Sequence, residues 1–204
     1  MEKEYIFGID VDCVLRDILP KMVKLYNDEF GTSMQVEDIY EFKVEKPFYL
    51  IKEKLGIEAS VWFFEQHAED IFKNSKVCNK AKEAVDILSK YGKIIIITYQ
   101  KSILNKKYTL EWLEENEIKY DGISFIKDKS IINCDYFIDD NDWNFTNCNA
   151  TMGILITQPY NKNINVNELK EKTNCELIHR CADLFNFASE FEAAYNMKEK
   201  INYN

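Results

Sequence analysis

The chain has 204 residues, of which 46% are apolar and 14% aromatic. This composition excludes a generally disordered protein and predicts one domain with room for a small insertion. The formal net charge of −9 argues against the binding of long nucleic acid through a basic patch. A single nucleotide remains compatible, since a metal ion and one or two lysines could offset its charge.

The cysteines and the N-terminal segment predict a cellular location. Six cysteines are present without a Cys-x-x-Cys pair, and the N-terminus runs into an apolar segment without a secretory leader. No apolar run reaches the length of a membrane span. These features predict a cytoplasmic protein with reduced thiols and no membrane contact. The sequence leaves both a monomer and a homodimer open.

The first predicted elements are a buried strand and an amphipathic helix. Tyr5–Ile9 is short and apolar, as expected of a strand that is buried on both faces, and it runs into Asp10 and Asp12. The segment 17–30 follows as a helix that ends at Gly31. Its apolar stripe consists of Leu19, Met22, Val23, Tyr26 and Phe30.

The next segment contains no strand pattern and predicts a helical insertion. Helices are expected at 36–42, 48–55 and 59–73. We therefore predict a small all-helical cap at residues 16–75, with the core domain formed by residues 1–15 and 76–204.

Strands and helices alternate through the rest of the chain. The predicted helices are 81–90, 103–116 and 182–197, with Leu104, Tyr108 and Trp112 as the buried stripe of the second. The predicted strands are 93–97, 122–126, 135–138, 153–157 and an edge strand at 176–178. This alternation predicts a doubly wound α/β fold around a parallel sheet.

Residues that can perform phosphate chemistry follow three of these strands. Asp10 and Asp12 follow the first, Thr98 follows 93–97, and Asp139 with Asp140 follows 135–138. Ligands of such sheets bind beyond the carboxyl ends of the strands, so these groups are expected to meet. Clustered carboxylates repel each other unless a cation neutralises them, and Mg²⁺ is the expected cation. The alternative is that both acidic pairs are ordinary turn residues.

Each of these residues has a plausible chemical role. Asp10 can attack phosphorus without a base because a carboxylate is already ionised. Asp12 can protonate the leaving alkoxide and then deprotonate water. A phosphoryl oxygen can accept a hydrogen bond from Thr98, while Lys129 balances the phosphoryl charge. Asp139 would complete the ligand set of the metal.

The ordered motifs resemble those of a known superfamily. Phe-Gly-Ile-Asp-Val-Asp at 7–12, Ile-Ile-Thr at 96–98, a downstream lysine and Phe-Ile-Asp-Asp at 137–140 are similar to the four motifs of haloacid dehalogenase superfamily phosphotransferases. The stretches 125–130 and 135–140, together with Gln-Pro-Tyr-Asn at 158–161, resemble the 5′(3′)-deoxyribonucleotidases, the cytosolic type C 5′-nucleotidases. The predicted insertion also lies at the cap position of that family.

The resemblance implies a role for each matching residue. Asp10 would be the phosphorylated nucleophile and a Mg²⁺ ligand. Asp12 would be the acid/base and would bind the metal through its backbone carbonyl. Thr98 and Lys129 would hold phosphate, and Asp139 would be the metal ligand of the fourth motif, with Asp140 in support.

The sequence departs from the family pattern at three positions. Cys13 replaces a usual glycine, so the tight turn could differ from that of the family. Tyr99 replaces a serine after the motif threonine, so that one phosphate-side hydroxyl is missing. Ile18 replaces an aromatic residue that vertebrate-type members place against the base. A second phosphate-side lysine could be Lys106 or Lys107, and each could equally be an ordinary solvated helix residue.

Three further residues have two interpretations each. Trp62 and Phe63 fall off the apolar stripe of the predicted helix 59–73, so they could stack on a nucleobase or pack on another cap helix. Arg16 could contact substrate or form a salt bridge.

The sequence thus predicts a Mg²⁺-dependent phosphomonoesterase whose partner is a small phosphomonoester. The expected substrate is a nucleoside 5′-monophosphate, which could be a deoxynucleotide. One alternative is a phosphatase of the same fold for sugar phosphates or other small metabolites. A second alternative is a non-catalytic nucleotide-binding regulatory protein, although binding alone would not require the Asp10/Asp12 pair.

Overall fold

A computed structural model describes residues 4–146 and 148–202. The central sheet has six strands in the order β5-β4-β1-β6-β7-β8, and every neighbouring pair is parallel. Its strands are β1 (Tyr5–Ile9), β4 (Gly92–Thr98), β5 (Gly122–Phe125), β6 (Tyr136–Asp139), β7 (Met152–Ile156) and β8 (Leu177–Cys181). Two short strands outside this sheet, β2 (Arg16–Asp17) and β3 (Lys76–Val77), pair antiparallel. The predicted α/β fold with a parallel sheet is confirmed.

The helices divide between the core and the segment before β3. That segment contains α1 (Leu19–Phe30), α2 (Tyr49–Leu55), α3 (Ala59–Val61) and α4 (Ala68–Phe72). The remaining helices are α5 (Ala81–Leu88), α6 (Ile103–Glu115), α7 (Val166–Lys170) and α8 (Leu184–Asn202). Short 3₁₀ turns lie at Val36–Asp38, Lys129–Ile131 and Asp142–Phe145.

The side chains of each sheet strand alternate between two apolar layers, as a period of two requires. On one face, Phe7 and Ile96 pack with residues of α5, α6 and α8. On the other face, Ile97 and Phe137 pack with Leu169 of α7 and with the segment around Phe145. The sheet is therefore covered on both faces, which accounts for its near-continuous apolar strands.

A third apolar cluster belongs to the segment between β2 and β3. It includes Leu19, Met22, Val23 and Tyr26 of α1, as the predicted stripe required, together with residues from α2, α3 and α4. β2 and β3 pair where the chain enters and leaves this segment. The residues 16–75 are called the cap segment below, and their division from the core stays a prediction.

Two predicted helices of the cap segment differ from those in the structure. Only the 3₁₀ turn Val36–Asp38 forms in the segment 36–42. The predicted helix 59–73 is interrupted by a π-helical turn at Trp62–Gln66. A π turn adds one residue per turn, so it rotates the residues before it relative to those after it. A single apolar stripe with a period of 3.6 residues therefore cannot predict which side chains of this segment are buried.

Candidate active site

The buried ammonium group of Lys129 lies between two carboxylates at the carboxyl end of the sheet. Its Nζ is 2.8 Å from Oδ2 of Asp10 and 2.7 Å from Oδ2 of Asp139. Asp10 follows β1, and Asp139 ends the neighbouring strand β6. Ile9 pairs with Ile138, so the register brings the two acids side by side. Lys129 joins them from the 3₁₀ turn that precedes β6.

A third carboxylate, that of Asp140, completes this cluster. Asp10, Asp139 and Asp140 each offer an oxygen within 4.8 Å of the others, and all three residues are buried. The hydroxyl of Tyr160 donates a hydrogen bond to Oδ2 of Asp140. These three acids form a candidate site for a divalent cation, because hard cations prefer carboxylate oxygens.

Burial dominates the electrostatics of the cluster. It raises the pKa of Asp10 to about 7, where attraction to Lys129 is outweighed by burial together with repulsion from Asp139 and Asp12. Burial and the charges of Asp139 and Asp10 also raise the pKa of Asp140 well above its usual range. Burial alone would lower the pKa of Lys129, but its two carboxylate partners raise it above the usual value. The cluster is therefore short of positive charge.

Two side chains, those of Arg16 and Gln100, fix the position of the Asp12 carboxylate. Arg16 contacts Oδ1 of Asp12 through Nε at 2.9 Å and Nη2 at 2.7 Å. Gln100 donates from Nε2 to Oδ2 of Asp12 at 2.9 Å. The Asp12 side chain keeps 22% of its surface exposed. It can therefore exchange a proton with a bound molecule while its position is fixed.

Arg16 also connects Asp12 to α4 and α6. It is fully buried and donates to the carbonyl oxygen of Phe72 and, at 3.2 Å, to Oγ1 of Thr109. Its guanidinium also lies over the rings of Phe72 and Trp112. Of the two interpretations from the sequence, the salt bridge is therefore the one that the structure supports.

Cys13, in the turn after β1, has a backbone conformation that favours glycine. Cys13 has a φ of 63°, in the left-handed region that glycine adopts without cost. The turn is closed by a hydrogen bond from the Cys13 amide to the carbonyl of Arg16 at 2.8 Å. Gln158 also donates to the carbonyl of Cys13 at 2.9 Å, which joins the turn to the loop after β7.

The predicted phosphate-side residues lie near the same end of the sheet. Thr98 is buried at the end of β4, and Tyr99 follows it with 48% of its surface exposed. Lys107 forms a salt bridge with Glu111, and Lys106 lies over the ring of Phe125. These contacts do not identify either lysine as a phosphate ligand.

The structure places Trp62 and Phe63 inside the cluster of the cap segment. Their exposed fractions are 3% and 0%, and Trp62 contacts the rings of Phe30 and His67 while Phe63 contacts that of Phe48. Stacking on a base requires a ring face that a ligand can reach, so this arrangement corresponds to the packing interpretation. The π turn explains why residues off the predicted stripe are nevertheless buried.

Several residues of the site were not assigned from the sequence. Gln100 binds Asp12, Asn144 donates to both oxygens of Asp139 at 3.0 Å, and Tyr160 donates to Asp140. Asn161 fixes the loop of Tyr160 by donating to the carbonyls of Asp140 and Ile156, each at 2.7 Å. The Gln-Pro-Tyr-Asn motif was a usable signal for the last two, whereas nothing in the sequence distinguished Asn144 from a solvated residue.

Two solved structures that share the fold of this chain are a dehalogenase and a dehalogenase-like hydrolase. L-2-haloacid dehalogenase from Xanthobacter autotrophicus aligns with a TM-score of 0.59 at 8% identity, over 92% of this chain and 98% of that chain. A haloacid dehalogenase-like hydrolase from Streptococcus pneumoniae aligns with a TM-score of 0.58 at 14% identity, over the same shares. At these identities the likeness concerns the fold, which is that of the haloacid dehalogenase superfamily.

Sequence comparison gives the family of the chain. The model of the family described as 5′ nucleotidase, deoxy (Pyrimidine), cytosolic type C protein matches residues 4–182, and the chain belongs to this family. It is therefore a 5′-nucleotidase, a phosphoric monoester hydrolase that acts on a small phosphomonoester.

Two curated bacterial proteins are similar over most of their length. The Bacillus subtilis (strain 168) protein named "Putative nucleotidase YqfW" is 26% identical over 76% of this chain and 81% of its own. The Halalkalibacterium halodurans protein named "Putative nucleotidase BH1399" is 25% identical over 79% of this chain and 84% of its own. Within the described ranges 4–146 and 148–202, no helix is both long enough and apolar enough to span a bilayer.

Proposed function

We propose that this nucleotidase hydrolyses nucleoside 5′-monophosphates, with deoxyribonucleotides among them, in a Mg²⁺-dependent reaction through an aspartyl-phosphate on Asp10. The observation that carries the proposal is the buried cluster of Asp10, Asp139 and Asp140 around the single ammonium group of Lys129. The match to a 5′-nucleotidase family supplies the substrate class.

The donor set fits a hard divalent cation. Three carboxylates and one ammonium carry two uncompensated negative charges when all are ionised, and all four residues are buried. Asp10 and Asp139, the carbonyl of Asp12 and the carboxylate of Asp140 would hold the ion. Bound Mg²⁺ would neutralise phosphate charge and favour the ionised form of Asp10.

Asp10 performs the first half of the proposed reaction. Its carboxylate attacks phosphorus, and the bond from phosphorus to the nucleoside oxygen breaks as the acyl phosphate forms. Asp12, in its protonated form, transfers its proton to the departing oxygen. Arg16 and Gln100 hold Asp12 in the position that this transfer requires.

Asp12 then acts as a base in the second half. It takes a proton from water as the water oxygen attacks the phosphorus of the acyl phosphate. The bond between phosphorus and the Asp10 oxygen breaks, which releases phosphate and restores both carboxyl groups. Thr98 and Lys129 hold the phosphoryl oxygens, with Tyr99 at the exposed edge of the site.

The segment 16–75 is proposed to act as a cap that recognises the rest of the substrate. The antiparallel pair of β2 and β3 provides its two connections to the core. Because Trp62 and Phe63 are buried, we assign the base contact to Phe42, which is 51% exposed. The ring of Phe42 lies 5.6 Å from that of Tyr160, the residue that donates to Asp140. It thus presents an accessible aromatic face close to the carboxylates.

The cysteines support a cytoplasmic location. All six are free, and Cys148 and Cys175 remain thiols although both are buried in the same apolar cluster. Reduced cysteines are the norm in a reducing compartment.

A phosphate-release screen tests the function. Nucleoside 5′-monophosphates, deoxynucleotides and sugar phosphates are assayed with Mg²⁺, with excess chelator, and with the Asp10→Asn variant as a matched control. We expect the highest kcat/KM on a nucleotide, loss of turnover in chelator and none by the variant. Higher kcat/KM on sugar phosphates would favour a metabolite phosphatase, and nucleotide binding without turnover would favour a regulatory protein.

A further inference from the structure

A second group of metal-ligating side chains lies at the edge of the sheet. Ligand atoms of His179, Cys181 and Glu190 are all within 4.8 Å of one another. His179 and Cys181 belong to β8, which is separated from β1 by two strands in the sheet order. The group is therefore distinct from the acids that surround Lys129.

The fold explains why these three side chains converge. Residues two apart on a strand share a face, so His179 and Cys181 point to the same side of β8. Cys181 packs in the cluster that α8 covers, whereas Ile178, one residue before His179, packs in the cluster on the opposite face. Glu190 extends from α8 and places its Oε2 2.9 Å from Nε2 of His179.

The chemistry of the three groups points to one class of ligand. Imidazole nitrogen, thiolate sulfur and carboxylate oxygen together form a ligand set of Zn²⁺, whereas Mg²⁺ and Ca²⁺ prefer oxygen alone. We propose that His179, Cys181 and Glu190 form a binding site for Zn²⁺ or a similar borderline divalent cation, with water in the fourth position.

The exposure of the group is compatible with this site. The His179 and Glu190 side chains keep 45% and 51% of their surfaces exposed, while Cys181 is 2% exposed beneath them. A cation can therefore enter from solvent and retain a water ligand. Three protein ligands with an open fourth position are the arrangement of accessible zinc sites.

A bound cation would deprotonate Cys181 and would link β8 to α8. Burial and the charges of Glu190 and Asp183 raise the pKa of Cys181 to about 12, so the thiol keeps its proton until a cation displaces it. The same cation would bond two positions of β8 to one of α8. It would therefore fasten the last helix to the edge strand of the sheet.

The test uses Co²⁺ as a spectroscopic substitute for Zn²⁺, in excess Mg²⁺ to occupy the oxygen-only site. A thiolate ligand gives Co²⁺ a charge-transfer absorption band that carboxylates do not produce. Site variants are His179→Gln and Cys181→Ala. The matched controls are His67→Gln, at the other histidine of the chain, and Cys78→Ala, at a half-buried cysteine.

We expect one Co²⁺ per chain with the thiolate band in the wild type and in both controls. Each site variant should lose the band, and competition with Zn²⁺ should show a loss of affinity beyond the roughly 10–100-fold cost of losing an outer-shell partner. A band that persists in Cys181→Ala, or equal Zn²⁺ affinity in His179→Gln, would overturn the proposal. Since His179 is exposed, a failure to fold does not obscure that result.

Discussion

Replacing Lys129 by methionine tests whether its charge holds the acidic cluster together. Methionine keeps an unbranched side chain but removes the ammonium group that lies 2.8 Å from Asp10 and 2.7 Å from Asp139. Lys129 is buried, so solvent cannot replace the lost charge. The variant is left with buried carboxylates and no ammonium group between them.

The two ion-pair distances of Lys129 set the size of the expected loss of unfolding free energy. At an effective dielectric constant of about 20, each contact has a gross attraction of about 6 kcal/mol. Much of this offsets the cost of removing the charges from water, and loss of one partner of a buried ion pair typically costs about 3–5 kcal/mol. We expect the metal-free Lys129→Met protein to lose that much free energy of unfolding at pH about 8.

The loss of unfolding free energy in Lys129→Met should be smaller at lower pH and in the presence of Mg²⁺. Since the pKa of Asp10 is already about 7, removal of Lys129 raises it further, and protonation then relieves the repulsion at lower pH. The destabilisation should therefore be smaller at pH about 6 than at pH about 8. Added Mg²⁺ should stabilise the variant more than the wild type, because it supplies the missing positive charge.

Urea unfolding followed by circular dichroism measures these differences. Lys127→Met is the matched control, since Lys127 is exposed only two residues away and should change stability by less than about 0.5 kcal/mol. If Lys129→Met costs no more than Lys127→Met in chelator at pH about 8, the electrostatic account of the cluster is refuted.

Further changes should separate positioning, packing and titration. Arg16→Lys keeps the charge but loses the fork that holds Asp12, so kcat should fall about 100-fold or more while KM changes little, and unchanged kcat would contradict this. Trp62→Ala should lower kcat/KM for a nucleotide and for p-nitrophenyl phosphate by the same factor because it is buried, whereas Phe42→Ala should lower only the nucleotide value, by roughly 10–100-fold. Burial raises the folded-state pKa of Asp10 from 3.8 to about 7, so its contribution to the stability of the metal-free protein is present below about pH 4 and lost as the pH rises through about 7. Urea midpoints in chelator should fall across that interval, and a midpoint that rises would oppose it.

The strands and their terminal acids were predictable because parallel sheets impose strong rules. A strand that is buried on both faces has few acceptable sequences, and its carboxyl end lies at the common edge where ligands bind. The positions of Asp10, Thr98 and Asp139 at three strand ends follow from those rules alone. The length of β8 did not follow, because His179 and Arg180 interrupt the apolar pattern that marks a strand.

The buried face of α6 shows why helix stripes can mislead. The sequence favoured Leu104, but Leu104 is 47% exposed while Asn105 and Thr109 are buried. Asn105 donates to the carbonyl of Phe64, and Thr109 accepts from Arg16. Residues of the cap segment form hydrogen bonds with the polar groups of this face. Such buried polar residues cannot be recognised from hydrophobic periodicity.

The hydrogen-bonded surroundings of the acids were equally inaccessible to sequence patterns. Gln100 reaches Asp12 from a loop, and Asn144 reaches Asp139 from the 3₁₀ turn after β6. In such segments the residue type alone does not reveal the direction of the side chain. The π turn at Trp62–Gln66 likewise depends on packing within the cap segment, and it decides that Trp62 is buried.

The most direct measurement asks whether Asp10 becomes phosphorylated during turnover. The enzyme is quenched during nucleotide hydrolysis with Mg²⁺, treated with borohydride, which reduces an aspartyl-phosphate to homoserine, and digested for mass spectrometry. We expect homoserine at position 10 in the wild type, and neither homoserine nor turnover in the Asp10→Asn variant. Substantial nucleotide hydrolysis by Asp10→Asn, or turnover in the wild type that leaves position 10 unmodified, would contradict the covalent mechanism.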